Sequence, residues 1–120
     1  MLVYHDGELE KVRELIQRVL EFLQNAEGGD DEALINLIAV YRDELYGVFA
    51  FPRAKHRPNC YFADGDSRVA VSPAALEMAG IMVVADGDHF DRVDEGRALS
   101  IYEEVTIERE LFNKLAESLP

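Results

Sequence analysis

Apolar residues recur at steps of three and four positions over residues 6–26, which is the pattern of an amphipathic helix. Asp6 stands at the position of an N-cap, and Gly28 and Gly29 stand where a helix commonly ends. We therefore predict a long helix here, with residues 25–31 as a short connection to the next element. The apolar stripe consists of Leu9, Val12, Leu15, Ile16, Val19, Leu20 and Leu23.

The spacing of apolar residues changes in the next part of the chain. Residues 33–42 carry apolar side chains at both sets of alternating positions, which predicts a strand buried on both faces. Residues 45–51 form a second run typical of a strand, and Asp43 and Glu44 alone separate the two. We predict a hairpin that presents the residues after it at one end of the sheet.

Three shorter segments also have the character of strands. Residues 59–63 are predicted to be a short strand or a packed loop, and residues 68–71 a short strand with alternating character. Residues 81–85 are almost entirely apolar, which predicts an interior strand. Together with the hairpin, these segments predict a sheet of four to five strands.

The remaining signals are helical. Ser72 and Pro73 stand as N-cap and first residue of a short helix that Gly80 ends. Residues 94–119 carry a second long apolar stripe. Because tight turns join strands and helices do not alternate regularly with them, we predict an α+β fold. Its mainly antiparallel sheet is flanked by two long helices and one short helix, in a single domain over residues 1–120.

Composition narrows the range of partners. The chain has 12 Lys and Arg against 24 Asp and Glu, a formal net charge of -12, which opposes non-specific binding to nucleic acid or anionic lipid. No apolar run has the length of a signal peptide core or a membrane span, which predicts a cytoplasmic protein. Cys60 is the only cysteine, so the chain can form neither an internal disulfide nor a cysteine-based zinc site, and we predict that it is a poor nucleophile.

Positive charge is concentrated in one stretch, residues 51–58, in which Pro52 and Pro58 flank the cationic side chains. We call residues 53–58 the cationic loop. Cations gathered in an acidic chain predict a site for a phosphate, although they could instead pair with the chain's own carboxylates. Ser72 at a helix start is either a structural cap or a further phosphate contact. The cationic and potentially cationic side chains of the loop are Arg53, Lys55, His56 and Arg57.

Motifs that would supply a reaction are absent from the sequence. His5, His56 and His89 are scattered, and there is no His-x-His pair, HExxH, P-loop or dinucleotide-binding glycine pattern. The acidic segment 86–91 has ordinary turn chemistry. We therefore assign no catalytic residue, no metal ligand and no cofactor. We predict that the glutamates of the last helix are solvated or paired with Lys and Arg, and they are Glu103, Glu104, Glu108 and Glu110.

Residues 51–58, 71–80, 88–93 and 101–105, in this order, resemble the C-terminal portion of a bacterial enzyme family. This family is related to GDP-hexose phosphorylases, diadenosine tetraphosphate phosphorylases (ATP adenylyltransferases) and galactose-1-phosphate uridylyltransferase, which belong to the histidine-triad (HIT-like) superfamily. The resemblance covers roughly residues 36–115. It implies a HIT-like fold, with an antiparallel half-barrel sheet and helices, and the pairing of two such units as a homodimer or with a catalytic HIT-like partner.

The resemblance also implies a function. In these relatives a histidine of a His-x-His-type motif attacks phosphorus, and this chain has no such motif. We therefore predict a nucleotide- or sugar-phosphate-binding half of a nucleotidyltransferase or phosphorylase that is inactive alone. The alternative is an interaction or structural domain that keeps the fold without the chemistry. By residue, the resemblance assigns the contact with a nucleotide or sugar nucleotide to Arg53, Lys55, His56 and Arg57.

Overall fold

The computed structural model describes residues 1–26, 28 and 32–120, and the chain divides into two compact units. One unit combines Met1–Pro52 with Glu108–Pro120, and the other is Arg53–Ile107. The single domain over residues 1–120 stays a prediction. In chain order the elements are β1 Leu2–Asp6, α1 Leu9–Ala26, β2 Ile35–Arg42, β3 Leu45–Pro52, α2 Asn59–Phe62, a 3₁₀ turn Gly65–Ser67, α3 Ala75–Met78, α4 Gly87–Phe90, α5 Glu95–Val105 and α6 Arg109–Ser118.

The first unit contains an antiparallel sheet in the order β1-β3-β2. The predicted hairpin is confirmed, since Arg42 pairs with Leu45 across a two-residue turn. Asp43 and Glu44 have φ angles of 53° and 64°, so both lie in the left-handed region that a type I′ hairpin turn requires. Strand β1 was not predicted from the sequence.

Helix α1 covers one face of this sheet, and the amphipathic helix predicted over residues 6–26 is confirmed apart from its start. The helix begins at Leu9, and Asp6 precedes it with Oδ1 accepting the backbone N–H of Glu8 at 2.9 Å. Of the predicted stop, Gly28 has a φ of 99° and Gly29 lies outside the described residues. The core between helix and sheet contains Val12, Leu15 and Val48, with Tyr4, Ile16, Tyr46 and Leu119 packed against them.

The prediction that residues 33–42 are buried on both faces is wrong. Strand β2 lies at the edge of the sheet, and β3 is the central strand. Leu37, Val40 and Tyr41 are exposed, whereas Val48 and Ala50 on β3 are buried. The apolar residues on the two faces of β2 are therefore partly exposed to solvent and are not covered on both sides.

The second unit has a core without a sheet. Its buried aliphatic side chains, Val69, Val71, Ile101 and Val105, belong to one segment that the sequence assigned to a strand and to the last predicted helix. The predicted strand 68–71 is absent. Val69 N–H donates to the carbonyl of Cys60 at 2.9 Å, Ala70 N–H donates to Nδ1 of His89 at 3.2 Å, and Val71 N–H donates to the carbonyl of Val69 at 2.9 Å. The backbone N–H groups of this segment are thus hydrogen-bonded to groups that do not belong to a neighbouring strand. The core consists of Val69, Val71 and Ile101, with Cys60, Met82, Val84 and Val93 against them.

Predicted strand 81–85 is also absent. Ile81 and Val83 are exposed, and Val83 N–H donates to Oε1 of Glu77 at 3.4 Å. Residues 59–63 form the single helical turn α2 and no strand. The α+β class with an antiparallel sheet is confirmed, but the described residues contain three strands in place of four to five.

The helix predicted over residues 94–119 is broken into α5 and α6. Thr106 is extended, with φ -97° and ψ 156°, and its backbone pairs with Arg53 in an isolated antiparallel bridge. Val105, Thr106 and Ile107 are three successive β-branched residues, which weakens the helix at this point. The break gives the end of α5 a second role, as a partner for the cationic loop.

Candidate functional site

The cationic loop starts with a residue fixed to the end of α5. Ala54 N–H donates to the carbonyl of Val105 at 2.9 Å, and Nε of Arg53 donates to the same carbonyl at 3.1 Å. This carbonyl lies at the C-terminus of a helix, where the partial negative charge of the helix dipole favours a cation. The first two loop residues are therefore held by one acceptor.

The guanidinium of Arg53 then reaches along the loop. Nη1 donates to the carbonyl of Pro73 at 2.7 Å, and Nη2 donates to the carbonyls of Lys55 and His56 at 3.1 and 3.3 Å. The residue is 4% exposed. Arg53 thus holds the backbone carbonyls of the loop and fixes the backbone positions of Lys55 and His56.

The buried cation of Arg53 is accompanied by a buried carboxylate, that of Glu77. Burial lowers the pKa of the Arg53 guanidinium and the charge of Glu77 raises it. Because the ordinary pKa of arginine lies far above neutrality, the cation persists. Glu77 is 8% exposed and accepts the N–H groups of Ala74 at 2.9 Å and Val83 at 3.4 Å. Both Arg53 and Glu77 are therefore buried charges with hydrogen-bond partners, and Arg53 is the one that bonds the loop.

Lys55 is anchored at the rim of the same region. Its Nζ forms an ion pair with Oε1 of Glu104 at 2.5 Å and donates to Oδ1 of Asn59 at 3.0 Å. Oε1 of Glu104 also accepts the backbone N–H of Asn59 at 2.8 Å, at the first residue of α2. The prediction that Glu104 pairs with a cation is confirmed.

Acidification is expected to loosen this anchor. Burial raises the pKa of Glu104, but the hydrogen bonds from Lys55 and Asn59 outweigh burial, so its pKa lies below the usual value. A carboxylate with a depressed pKa contributes stability above its unfolded pKa of about 4.3, and this contribution is lost as pH falls through the folded value. Urea denaturation between about pH 6 and pH 3 should show a smaller loss of stability for Glu104→Gln than for the wild type. Glu103→Gln, an exposed neighbour, serves as control, and an unchanged slope for Glu104→Gln would contradict the expectation.

Among the cationic and potentially cationic side chains of the loop, His56 and Arg57 are exposed. The Cζ atom of Arg57 lies 4.4 Å from the ring centroid of Tyr61, a cation–π contact. Within the described part of the chain, its guanidinium forms no ion pair with a carboxylate. Its N–H donors are therefore oriented by an aromatic face and remain accessible to an anion.

Ser72 approaches the loop because it does not cap a helix. Helix α3 begins at Ala75, two residues later than the sequence predicts, and Oε2 of Glu77 accepts the N–H of Ala74 at its start. The N-cap assigned to Ser72 is therefore wrong. The predicted end is confirmed, since Gly80 follows α3 with a φ of 102°. Ser72 is exposed, with its hydroxyl available for other contacts.

These side chains surround one cavity of about 590 Å³. Four of the five residues predicted to bind phosphate line it, and Arg53 does not, because it lies beneath the loop. Sequence reasoning missed Asn59 and Phe62. The helical turn α2 leaves Phe62 69% exposed, whereas the strand or packed loop predicted for residues 59–63 would have buried part of this segment. The lining consists of Lys55, His56, Arg57, Asn59, Phe62 and Ser72.

Other candidate groups have local structural roles. Oδ1 of Asp86 accepts the N–H of His89 at 3.0 Å and caps α4, as turn chemistry predicts. The described residues include no cluster of three His, Cys, Asp or Glu side chains placed to hold a metal ion. Burial raises the pKa of the Cys60 thiol, which disfavours the nucleophilic thiolate. Within the described helices, none has both the length and the apolar character needed to cross a membrane.

The chain was also compared with known proteins. A family model described as "GDPGP1-like, C-terminal domain" matches residues 1–119. The comparisons with curated proteins and with solved structures returned no match. The family match confirms the predicted relation to the C-terminal domain of GDP-hexose phosphorylase-like proteins. The relation to the other enzymes named above stays a prediction.

Proposed function

The chain belongs to the GDPGP1-like C-terminal domain family, and from this membership we propose that it is the part of a phosphorylase-type enzyme that binds the phosphates of a nucleotide or sugar nucleotide. The site is the cavity beside the cationic loop. Its ligand contacts are Lys55, His56, Arg57 and Ser72, with Arg53 as the residue that positions the loop.

The observation that carries this proposal is the convergence of five polar or cationic side chains on one cavity in a chain of net charge -12. Such a local reversal of sign raises the concentration of anions at the site. Arg57 offers a planar set of donors that matches phosphate oxygens. Lys55 has three N–H donors, of which Glu104 and Asn59 take two, so one remains for a ligand.

An aromatic side chain beside these donors favours a nucleotide over inorganic phosphate. Phe62 lines the cavity and is 69% exposed. An exposed aromatic ring next to cations is a surface on which a base can stack, and such stacking contributes about 1–3 kcal/mol in single-stranded nucleic acid complexes. Phe62 is held edge-to-face against Tyr61, with ring centroids 5.1 Å apart. The contact with Tyr61 thus restricts the orientation of the Phe62 ring on which the base would stack.

Glu104 sets a limit on affinity. Its carboxylate holds Lys55, so a phosphate must share this lysine with an anion already present. The pair is partly exposed, at 36% for Lys55 and 28% for Glu104, and water and salt screen it. We therefore expect weak binding by the isolated chain, and weaker binding as the salt concentration rises.

The reaction itself needs a group that this sequence does not contain. The three histidines are His5, His56 and His89, and no two of them stand in a His-x-His pair. We propose that the nucleophilic histidine belongs to a catalytic HIT-like unit and that this chain shares the HIT-like fold. The description of the family as a C-terminal domain supports a partner region of this kind.

Calorimetric titration of GDP, ADP and pyrophosphate tests the binding site. Arg57→Met should raise the dissociation constant of each ligand roughly tenfold or more, because a hydrogen bond to a charged group contributes about 1.5–3 kcal/mol. Lys55→Met should act in the same direction. GDP and ADP should bind more tightly than pyrophosphate if the base contributes.

The matched control is Arg68→Met, which removes the same charge from an exposed arginine outside the cavity lining. It should leave ligand affinity unchanged apart from the general effect of net charge. Equal heats from the wild type and Arg57→Met would contradict the phosphate site. That outcome would favour the alternative, an interaction or structural domain whose loop cations serve only to hold the fold.

A further inference from the structure

Ser72, which lines the cavity, lies in a segment whose backbone is held on both sides of it. Two residues before it, Ala70 N–H donates to Nδ1 of His89 at 3.2 Å. Directly after it, the carbonyl of Pro73 accepts a hydrogen bond from Nη1 of Arg53 at 2.7 Å. Two residues of chain span at most about 7 Å, so a movement of the backbone at Ala70 reaches Ser72 unless the residue between them absorbs it.

The residue between them is itself fixed. Val71 is 1% exposed in the core of the second unit, and its N–H donates to the carbonyl of Val69 at 2.9 Å. A side chain in a close-packed interior has little room to move independently of its neighbours. The position of Ser72 in the cavity is therefore set by the backbone contacts on either side.

One of these contacts depends on a proton. Because Nδ1 of His89 accepts a hydrogen bond, the neutral imidazole carries its hydrogen on Nε2. Histidine changes its charge between about pH 5 and pH 8, and protonated imidazole has donors on both nitrogens. The new N–H group on Nδ1 then faces the N–H of Ala70, and the hydrogen bond is lost. The carbonyls of Cys60 and Val69, which accept the N–H groups of Val69 and Val71, do not titrate.

We propose that His89 is a positioning residue for Ser72, and that protonation of His89 releases Ala70 and so weakens ligand binding in the cavity. This inference rests on the proposed phosphate site. It gives ligand affinity a component that decreases as the pH falls. The direct effect of His56 has the opposite sign, because this histidine lines the cavity and attracts anions once it is protonated.

Charges of both signs surround His89. Asp86 accepts its backbone N–H at 3.0 Å and favours the protonated imidazole, whereas Arg92, three residues further along the chain, disfavours it. The midpoint of the change is therefore best read from the amide of Ala70 itself. The titratable and charged groups on α4 and on the segments next to it are Asp86, Asp88, Asp91, Arg92, Arg68, Arg97 and the thiol of Cys60.

Nuclear magnetic resonance of the full chain measures this hydrogen bond without a ligand and without a substitution. The amide of Ala70 should shift with the same midpoint as the side chain of His89 between about pH 8 and pH 5.5. In His89→Asn the amide should stay bonded throughout, because Oδ1 of asparagine takes the place of Nδ1 and does not titrate. His5→Asn, the same change on β1, is the matched control and should leave the Ala70 profile unchanged. A profile of Ala70 that does not follow His89 overturns the inference.

Calorimetric titration with GDP measures the effect on binding, in a His56→Gln background that removes the opposing titration. The dissociation constants with and without His89→Asn should agree at about pH 8. At about pH 5.5 the chain that keeps His89 should bind about fivefold more weakly, as expected for the loss of one hydrogen bond. The titration of GDP itself is common to both chains and cancels in their ratio. Adding Ser72→Ala to both should abolish the difference, since the effect acts through Ser72.

The two measurements separate this inference from the proposed function. Equal affinities at the lower pH, or a difference that persists in Ser72→Ala, overturn the role of His89 and leave the phosphate site standing. A wild-type chain that binds no GDP at either pH contradicts the proposed function, and the positioning role falls with it.

Discussion

Replacing Arg53 with methionine is expected to lower the free energy of unfolding by about 3–5 kcal/mol, because each buried acceptor that loses its donor costs about 1–3 kcal/mol. The side chain is 4% exposed and donates to the carbonyls of Val105, Pro73, Lys55 and His56. Methionine fills a similar volume but donates to none of them. It also leaves the buried carboxylate of Glu77 without its compensating cation.

Urea denaturation followed by circular dichroism measures this loss. Arg68→Met removes the same charge from an exposed position and should change stability by less than about 0.5 kcal/mol. Arg53→Lys should restore only part of the loss. The compact ammonium of lysine cannot reach all the carbonyls that the planar guanidinium of arginine bonds in several directions. A stability loss for Arg53→Met no larger than that of Arg68→Met would show that the buried network contributes little.

Replacing Glu77 with glutamine is expected to cost about 2–4 kcal/mol, because it removes a buried charge and puts an NH₂ group where an oxygen accepts a backbone N–H. The two backbone donors belong to Ala74 and Val83, so both ends of α3 lose support. Glu77 accepts its hydrogen bonds from backbone outside the loop, so its loss acts through α3 and through the charge of Arg53.

Glu103→Gln is the matched control, since Glu103 is exposed on α5 and should tolerate the change. The double variant Arg53→Met/Glu77→Gln tests whether the two charges act together. If they do, its stability loss will be smaller than the sum of the single losses, by the coupling expected of neighbouring charged groups. Strict additivity would mean that the two side chains act independently.

These two expectations determine which variants suit a test of the proposed phosphate site. If Arg53 were replaced, weaker ligand binding could result either from a lost ligand contact or from a displaced loop, and the binding measurement would not distinguish the two. Lys55 and Arg57 are the better choices, because they are at least partly exposed and line the cavity. Arg53 is a positioning residue, and its effect on binding should follow its effect on stability.

The sequence alone determined the features whose causes are local. The helix α1 follows from one apolar stripe, and the hairpin follows from two strand-like runs separated by Asp43 and Glu44. The end of α3 follows from Gly80, which takes a left-handed φ at no steric cost. Three of the residues that line the cavity, Lys55, His56 and Arg57, were also picked out by type and proximity, because charges at nearby positions in the chain stay close in any fold. Ser72 was picked out as a helix cap, a role that it does not have.

Tertiary structure decided whatever depends on a partner distant in the chain. An apolar run at residues 68–71 specifies burial but not what bonds the backbone, and Cys60 and His89 supply partners that no strand provides. Equally, the charge of Arg53 indicates an anion, whereas carbonyls 20 and 52 positions away make it a structural residue. Periodicity reports which side chains leave water, and only the folded chain determines which polar group each buried N–H and cation meets.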